Sequence, residues 1–416
     1  MFRLVCILSI LSVFQLNKAK CGATPDKIVV CHTLSKIDER LNNTEFKIEN
    51  VDLNLCTHLV CIDDIWQTAS NNEPWTSLTA SYKRFTNLRT KYPHLKISVA
   101  VKQNPVDIIR IVTDKMHRKE FIEDASRFLS SHKLDGLELF WDFSKLRQND
   151  ESENFYNNEA PDKDIVISFI KELSRTLQRQ NCSLTSSLVG INKRFLKLFG
   201  IADFSKHLNF INILPKYNFL NHSETARYKI NETLNIIATP GIEATIENMI
   251  ELGVPAAKIV MGIQFIGHSF STEGYEEPCT HSEVCNLENL GRIWGFDEYF
   301  DNKTGMAFVN NEGKFMYAQF LRSFDKDLPV PPMAIMYESS RSVANIVRFA
   351  LRRRIAGVMA FPIDADGALD VCDIRDDTFA DLKHSELATV SIPYFRGTFP
   401  LLRTINAIIT VNVEED

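Results

Sequence analysis

Three acids within eight residues single out the stretch Leu134-Asp135-Gly136-Leu137-Glu138-Leu139-Phe140-Trp141-Asp142-Phe143. Carboxyl groups held close together can divide a reaction between them, one giving a proton and another accepting one or steadying charge. The stretch alternates with the period of a strand. Gly136, Glu138, Phe140 and Asp142 share one face, and Leu137, Leu139, Trp141 and Phe143 share the other. A strand that turns acids inward is costly unless they are paired or at work. The competing reading is an edge strand with a solvated acidic face, so the surrounding elements must decide.

Other chemistries find little footing. No G-x-G-x-x-G follows the first strand and no G-x-x-x-x-G-K-[ST] occurs, so no nucleotide cofactor is expected. His32, His58, His207 and His268 are scattered, and no His/Cys pair has zinc spacing, so no metal is expected. The net charge is -6 with both signs interspersed, which gives nucleic acid no basic patch to bind. Arg352-Arg353-Arg354 reads as the solvated end of a helix.

The N-terminus has a basic start, Met1-Phe2-Arg3, then an apolar run from Leu4 to Leu16, then Asn17-Lys18-Ala19-Lys20. That order reads as a secretory signal, residues 1–23, with cleavage after Ala23 or after Ala19. No apolar run reaches the ~20 residues of a membrane span. Asn-x-Ser/Thr triplets at Asn42, Asn181, Asn221, Asn231 and Asn302 fit a glycosylated extracellular protein. In an oxidising compartment disulfides are the default reading for several of Cys31, Cys56, Cys61, Cys182, Cys279, Cys285 and Cys372. Cys61 and Cys182 sit on strands and read as buried thiols; the pairing of Cys279, Cys285 and Cys372 stays open.

Stepping along the chain, strand-like runs begin at Lys27, Thr57, Leu95, Leu134, Cys182, Leu208, Lys258 and Ile355. Helical patterns lie between them, at Ser81–Tyr92, Asp107–Leu129, Asp164–Gln180, Gly241–Leu252 and Ser342–Arg353, and a last helix runs from Phe399 to Ile409. Eight buried strands separated by helix-length segments predict an α/β fold, a (β/α)8 TIM barrel over residues 24–416. The rhythm breaks between 267 and 335, where Gly, Asn, aromatics and charge predict a small α+β insertion between strands 7 and 8. In such a barrel functional residues gather at the C-terminal strand ends, which turns Glu138, Phe140 and Asp142 toward the interior.

With its elements in this order the chain resembles glycoside hydrolase family 18, the chitinases and chitinase-like proteins. The family's D-G-x-D-x-D-x-E appears as Asp135-Gly136-Leu137-Glu138-Leu139-Phe140-Trp141-Asp142. Supporting matches run from Lys27-Ile-Val-Val-Cys31 and Asn54-Leu-Cys56-Thr-His58 through Phe210-Ile-Asn-Ile-Leu214 and Gly253-Val-Pro255 to Phe399-Pro-Leu-Leu-Arg403. The resemblance implies a Cys31–Cys56 disulfide and an insertion that walls a sugar cleft. It also implies catalysis assisted by the substrate's own acetamido group. The glutamic acid at the last motif position protonates the leaving oxygen, and the aspartate two residues before it steadies the acetamido group.

Against that pattern the acids are altered. Asp142 takes the acid position one methylene short, and ~1 Å of misplacement can cost ~100-fold. Phe140 replaces the steadying aspartate, and Glu138 replaces a shorter acid. The family's Met-x-Tyr-Asp reads Leu214-Pro215-Lys216-Tyr217-Asn218; Phe361 stands for the tryptophan flooring the sugar site; Ala100-Val101 replaces a glycine pair. Asp135, Glu138 and Asp142 are therefore expected to be inactive relics of a catalytic motif. The expected function is a secreted chitinase-like protein lacking normal chitinase activity, binding chitin or N-acetylglucosamine glycans as a lectin or as a signalling protein with a cell-surface receptor. Phe140, Trp141, Tyr217, Tyr337 and Phe361 are the candidate sugar-binding aromatics. The alternatives are a re-specialised glycosidase using Asp142 as acid, and a protein-binding scaffold with no sugar ligand.

Overall fold

The computed structural model describes residues 27–34, 47–63, 79–103, 105–142, 162–189, 191, 193–214, 242–271, 276–280, 305–309, 316–320, 333–338, 340–366 and 399–415. Eight parallel strands close into a barrel: β1 (Ile28–Leu34), β2 (His58–Asp63), β3 (Lys96–Gln103), β4 (Gly136–Asp142), β5 (Ser183–Val189), β6 (Ile211–Leu214), β7 (Ile259–Gln264) and, after the insertion, β13 (Gly357–Phe361). The helices are α1 (Thr79–Asn87), α2 (Pro105–Thr113), α3 (Lys115–His132), α4 (Lys163–Gln178), α5 (Lys193–Leu198), α6 (Ile201–Lys206), α7 (Ile242–Glu251), α8 (Ser340–Arg352) and α9 (Pro400–Glu415). The (β/α)8 barrel predicted from the rhythm of the chain is thus the fold.

One expected helix is two. The pattern from Asp107 to Leu129 divides at Asp114, whose side chain accepts from the N–H groups of Met116 and His117 and so caps α3. An aspartate that satisfies the free donors of a helix start favours a new start over continuation.

Four connections entering the barrel strands repeat one cap. Lys133, Asn181, Gly253 and Arg354 each have positive φ, and each is followed by a buried residue. The N–H of that residue reaches back to the preceding helical turn: Leu134 to Leu129, Cys182 to Leu177, Val254 to Met249 and Ile355 to Ala350. This is the Schellman arrangement, in which a left-handed residue turns the chain and a hydrophobe closes it.

Two apolar layers follow from the strand alternation. Leu137, Leu139 and Trp141 face the helices in the large outer core. Val30, Val60, Ile62, Ala100, Phe140, Phe210, Leu214, Val260 and Met359 fill the barrel interior. Between β7 and β13 lie β8 (Ile266–Ser271), β9 (Glu276–Thr280), β10 (Gly305–Val309), β11 (Met316–Phe320) and β12 (Met333–Tyr337). They form one antiparallel sheet in the order β10-β11-β12-β8-β9.

Candidate functional site

Asp135 and Glu138, the two motif acids whose side chains are described, are held by separate sets of partners. Asp135 precedes β4, at the end of the barrel away from its functional mouth. Its Oδ2 accepts from the Ile97 N–H at 2.8 Å and from Arg89 Nη2 at 2.5 Å, while Arg89 Nη1 donates to the Lys133 carbonyl at 2.6 Å. Asp135 therefore ties the start of β4 to β3 and to the turn after α3, some 20 Å of strand from the mouth at ~3.3 Å per residue. At Gly136 a Cβ would lie 2.1 Å from Ser183 Oγ and 2.9 Å from the Ser183 carbonyl. Only glycine lets β4 and β5 approach so closely there.

Glu138 is the centre of a buried polar cluster, with 0% exposure. Its Oε1 lies 2.7 Å from His32 Nε2 and accepts from Ser187 Oγ at 2.6 Å; its Oε2 accepts from Asn212 Nδ2 at 2.8 Å. Asn212 Nδ2 also donates to Ser187 Oγ at 3.0 Å. Four strands, β1, β4, β5 and β6, thus meet on one carboxyl group. Its desolvation is offset by three partners, the condition under which a buried acid is tolerated. In the sequence His32 is one of several scattered histidines, and nothing near it in the chain marks Ser187 and Asn212 as its companions. The available signal was the inward row Ser183, Thr185 and Ser187, hydroxyls at every second place of a strand buried along its centre.

Above the cluster sits a lid of rings. Phe140 stacks on Phe361 with centroids 5.7 Å apart and planes at 27°. The His32 ring meets both edge-on, at 6.4 Å and 5.9 Å. Phe140 keeps 4% exposure, whereas Phe361 is partly exposed at the end of β13.

Trp141 needs correcting. Expected among the sugar-binding aromatics, it is 0% exposed on the outer side of β4, packed against Phe199 and Phe204 at 5.6 Å each. Strand alternation places it with the helices, opposite its neighbour Phe140. Asp142 ends β4 in register with Val189, and Tyr337 ends β12 in register with Met316; their side chains lie outside the described part. Tyr217, residues 1–23, Asn42, Asn221, Asn231, Asn302, Cys285 and Cys372 also lie outside it. Asn181 is exposed in its left-handed turn.

The Cys31–Cys56 disulfide is present, and Cys61 and Cys182 are buried cysteines outside it. Inside the opposite end of the barrel His58 lies against Phe210, rings 5.3 Å apart. Burial, with Lys96 adding to it, pushes its imidazole down to about 4. Among the described residues no group of three or more His, Cys, Asp or Glu is placed to hold a metal, and no helix is long and apolar enough to cross a membrane.

Comparison with known proteins places this architecture. The family model described as glycosyl hydrolases family 18 matches residues 29–366. A probable chitinase 2 of Drosophila melanogaster is 28% identical over 431 residues, covering 95% of this chain and 83% of the relative. The crystal structure of the Group IV chitinase of Ostrinia furnacalis superposes with a TM-score of 0.63 at 19% identity, over 92% of this chain and 100% of that one. A human pseudo-chitinase with retained chitooligosaccharide-binding properties gives a TM-score of 0.60 at 18% identity, with the same two coverages.

Proposed function

The chain belongs to glycosyl hydrolase family 18, and on that footing we propose that it is a secreted chitinase-like protein without ordinary chitinase activity. In this reading it binds chitin or related N-acetylglucosamine glycans as a lectin, or as a signalling protein that engages a cell-surface receptor. It would carry N-glycans on some or all of its five acceptor asparagines.

The observation that supports this reading is the state of Glu138. Asp142, at the acid position, is one methylene short, and a Glu138 engaged on both oxygens and out of solvent cannot stand in for it as proton donor to a substrate. Glu138 meets no solvent, and its oxygens are engaged by His32, Ser187 and Asn212. Phe140, at the position where the family resemblance places an aspartate, closes the space above it with an apolar ring. A partly exposed Phe361 beside it supplies an aromatic surface suited to a sugar face. Among the structural neighbours, which include chitinases, one is a pseudo-chitinase with retained chitooligosaccharide-binding properties, and that neighbour agrees with this reading.

The test has two arms. Incubation of chitin oligomers with a high concentration of the protein should release no product, while titration with chitotetraose should show saturable binding. Product release that Asp142→Asn abolishes would replace this reading with that of a glycosidase using Asp142 as acid. Failure to bind chitin or any oligomer would leave the protein-binding scaffold. Expression of the full chain in eukaryotic cells should deliver it to the medium with its first 23 residues removed.

A further inference from the structure

Two contacts cross the barrel side by side. In the closed strand order β4 stands three strands from β1 and four from β13. Phe140 of β4 nevertheless stacks on Phe361 of β13, with centroids 5.7 Å apart. Glu138, one inward place before Phe140, meets His32 of β1 at 2.7 Å. The His32 ring joins the two contacts. Its Nε2 faces Glu138, and its plane stands at 69° to Phe140 and at 60° to Phe361. Carboxylate, imidazole and two phenyl rings thus form one chain of contacts that ends at the partly exposed Phe361.

A carboxylate only accepts, so His32 presents Nε2–H to it, and that bond sets both the tautomer and the plane of the imidazole. Edge-to-face contacts depend on that plane, because the positive edge of one ring is drawn to the negative face of the next. Glu138 is itself anchored by Ser187 Oγ at 2.6 Å and Asn212 Nδ2 at 2.8 Å. His32 and Glu138 are both 0% exposed, so no solvent competes for their bond. A binding side chain keeps a precise geometry when the groups behind it lock its rotamer. We propose that Glu138 is a positioning residue for sugar binding. Its bond to His32 holds the imidazole against which Phe140 and Phe361 are set, so the former motif acid supports the affinity for a sugar it does not touch. This inference rests on the sugar-binding reading above and adds a residue that serves the same site from beneath.

Calorimetric titration of the full chain with chitotetraose tests it, in the parent and in Glu138→Gln, Glu138→Leu, Phe361→Ala and the double variant Glu138→Leu/Phe361→Ala. Glu138→Leu should weaken binding about tenfold, because the rings must then be ordered by the ligand. Glu138→Gln should stay within about threefold of the parent, since its amide oxygen still accepts from His32 Nε2. Asn212 can turn its own amide to offer the new NH2 its Oδ1, an atom without a hydrogen-bond partner among the described residues. A merely structural role would lower stability without singling out one ring. Here Glu138→Leu should change affinity by less than about twofold once Phe361 is alanine. The inference is overturned if Glu138→Leu binds like the parent, if Glu138→Gln loses as much as Glu138→Leu, or if the loss is the same with and without Phe361. In each of those cases the sugar-binding reading stands. No binding by the unsubstituted chain overturns both. Should Glu138→Leu fail to fold, His32→Leu/Glu138→Leu replaces both partners by apolar groups and leaves neither half of the pair unsatisfied. That variant should show the same loss, and parent-like affinity in it overturns the inference.

Discussion

Phe140 and Trp141 are chain neighbours with opposite roles. Phe140 turns into the barrel and stacks on Phe361; Trp141 turns outward and fills the space between β4 and the residues around α6. Replacing Trp141 by alanine should therefore cost about 3–5 kcal/mol of stability, the usual range for emptying a buried tryptophan site. The affinity for chitotetraose should be unchanged in the fraction that folds. Urea denaturation and titration on one preparation separate the two effects; a large affinity loss with intact stability would return Trp141 to the binding surface. The alternation of β4 was legible in the sequence and already put Trp141 on the apolar side. The family resemblance pulled it toward the sugar, and the strand geometry decides otherwise. His58 offers a second prediction. Its folded-state value of about 4 lies below the ordinary histidine value, so the unfolded chain binds the proton more readily. Stability from this residue is complete above about pH 6.5 and is lost as pH falls toward 4, by at most about 3 kcal/mol. His207, lowered by burial, acts in the same direction but is set on the surface of the helical layer. Denaturation midpoints measured between pH 7 and 4.5 should fall less steeply in His58→Gln than in the parent. Equal slopes would show that the imidazole is solvated in the folded protein.

At the scale of elements, the recurring cap gives the clearest energetics. Three of its four left-handed positions are held by residues with side chains, Lys133, Asn181 and Arg354, and one by Gly253. Asparagine and glycine tolerate this conformation, whereas for other residues it costs roughly 1–2 kcal/mol. Arg354→Gly should therefore stabilise the protein by up to about 1 kcal/mol, after allowing for the extra freedom glycine has when unfolded. Gly253→Ala should destabilise it by a similar amount. A shift of the denaturant midpoint in opposite directions for the two variants is the expected outcome; shifts of the same sign would show that contacts of the side chains, not backbone conformation, dominate these turns. Only the glycine was visible as punctuation in the sequence. Lys133 and Arg354 carry no turn signal, and their role emerges because the residue after each is hydrophobic and the strand that follows must enter the barrel. The division of the Asp107–Leu129 pattern at Asp114 was hidden for a related reason. The apolar period continues across the break, and the only mark of a new helix is one capping carboxylate.

For the whole molecule, the rhythm of apolar strands and amphipathic helices was enough to predict a parallel barrel, because strands covered by helices on one side and filled on the other read as continuous apolar runs. The polar centre was less legible. His32, Glu138, Ser187 and Asn212 come from four strands spread across the chain, and nothing local in any one of them announces the other three. The same long-range closure sets the last prediction. Cys31 on β1 and Cys56 before β2 are joined across a separation of 25 residues, and both sulfurs are buried in the layer between strands and helices. Loop-closure entropy for a link of this span gives a stabilisation of about 3.5 kcal/mol, so the double variant Cys31→Ala/Cys56→Ala should lose that much. Burial also separates accessibility from chemistry. Cys61 and Cys182 lie buried outside that disulfide, and burial raises the Cys182 thiol above its ordinary value, which holds it in the unreactive protonated form. Alkylation followed by peptide mapping should therefore modify none of these four cysteines in the native protein. Of these four, unfolding without reductant should expose Cys61 and Cys182, and reductant should then add Cys31 and Cys56. Modification of Cys31 in unfolded, unreduced protein would show that the pair is not formed in the purified chain, and the barrel would then owe its closure to strand pairing and packing alone.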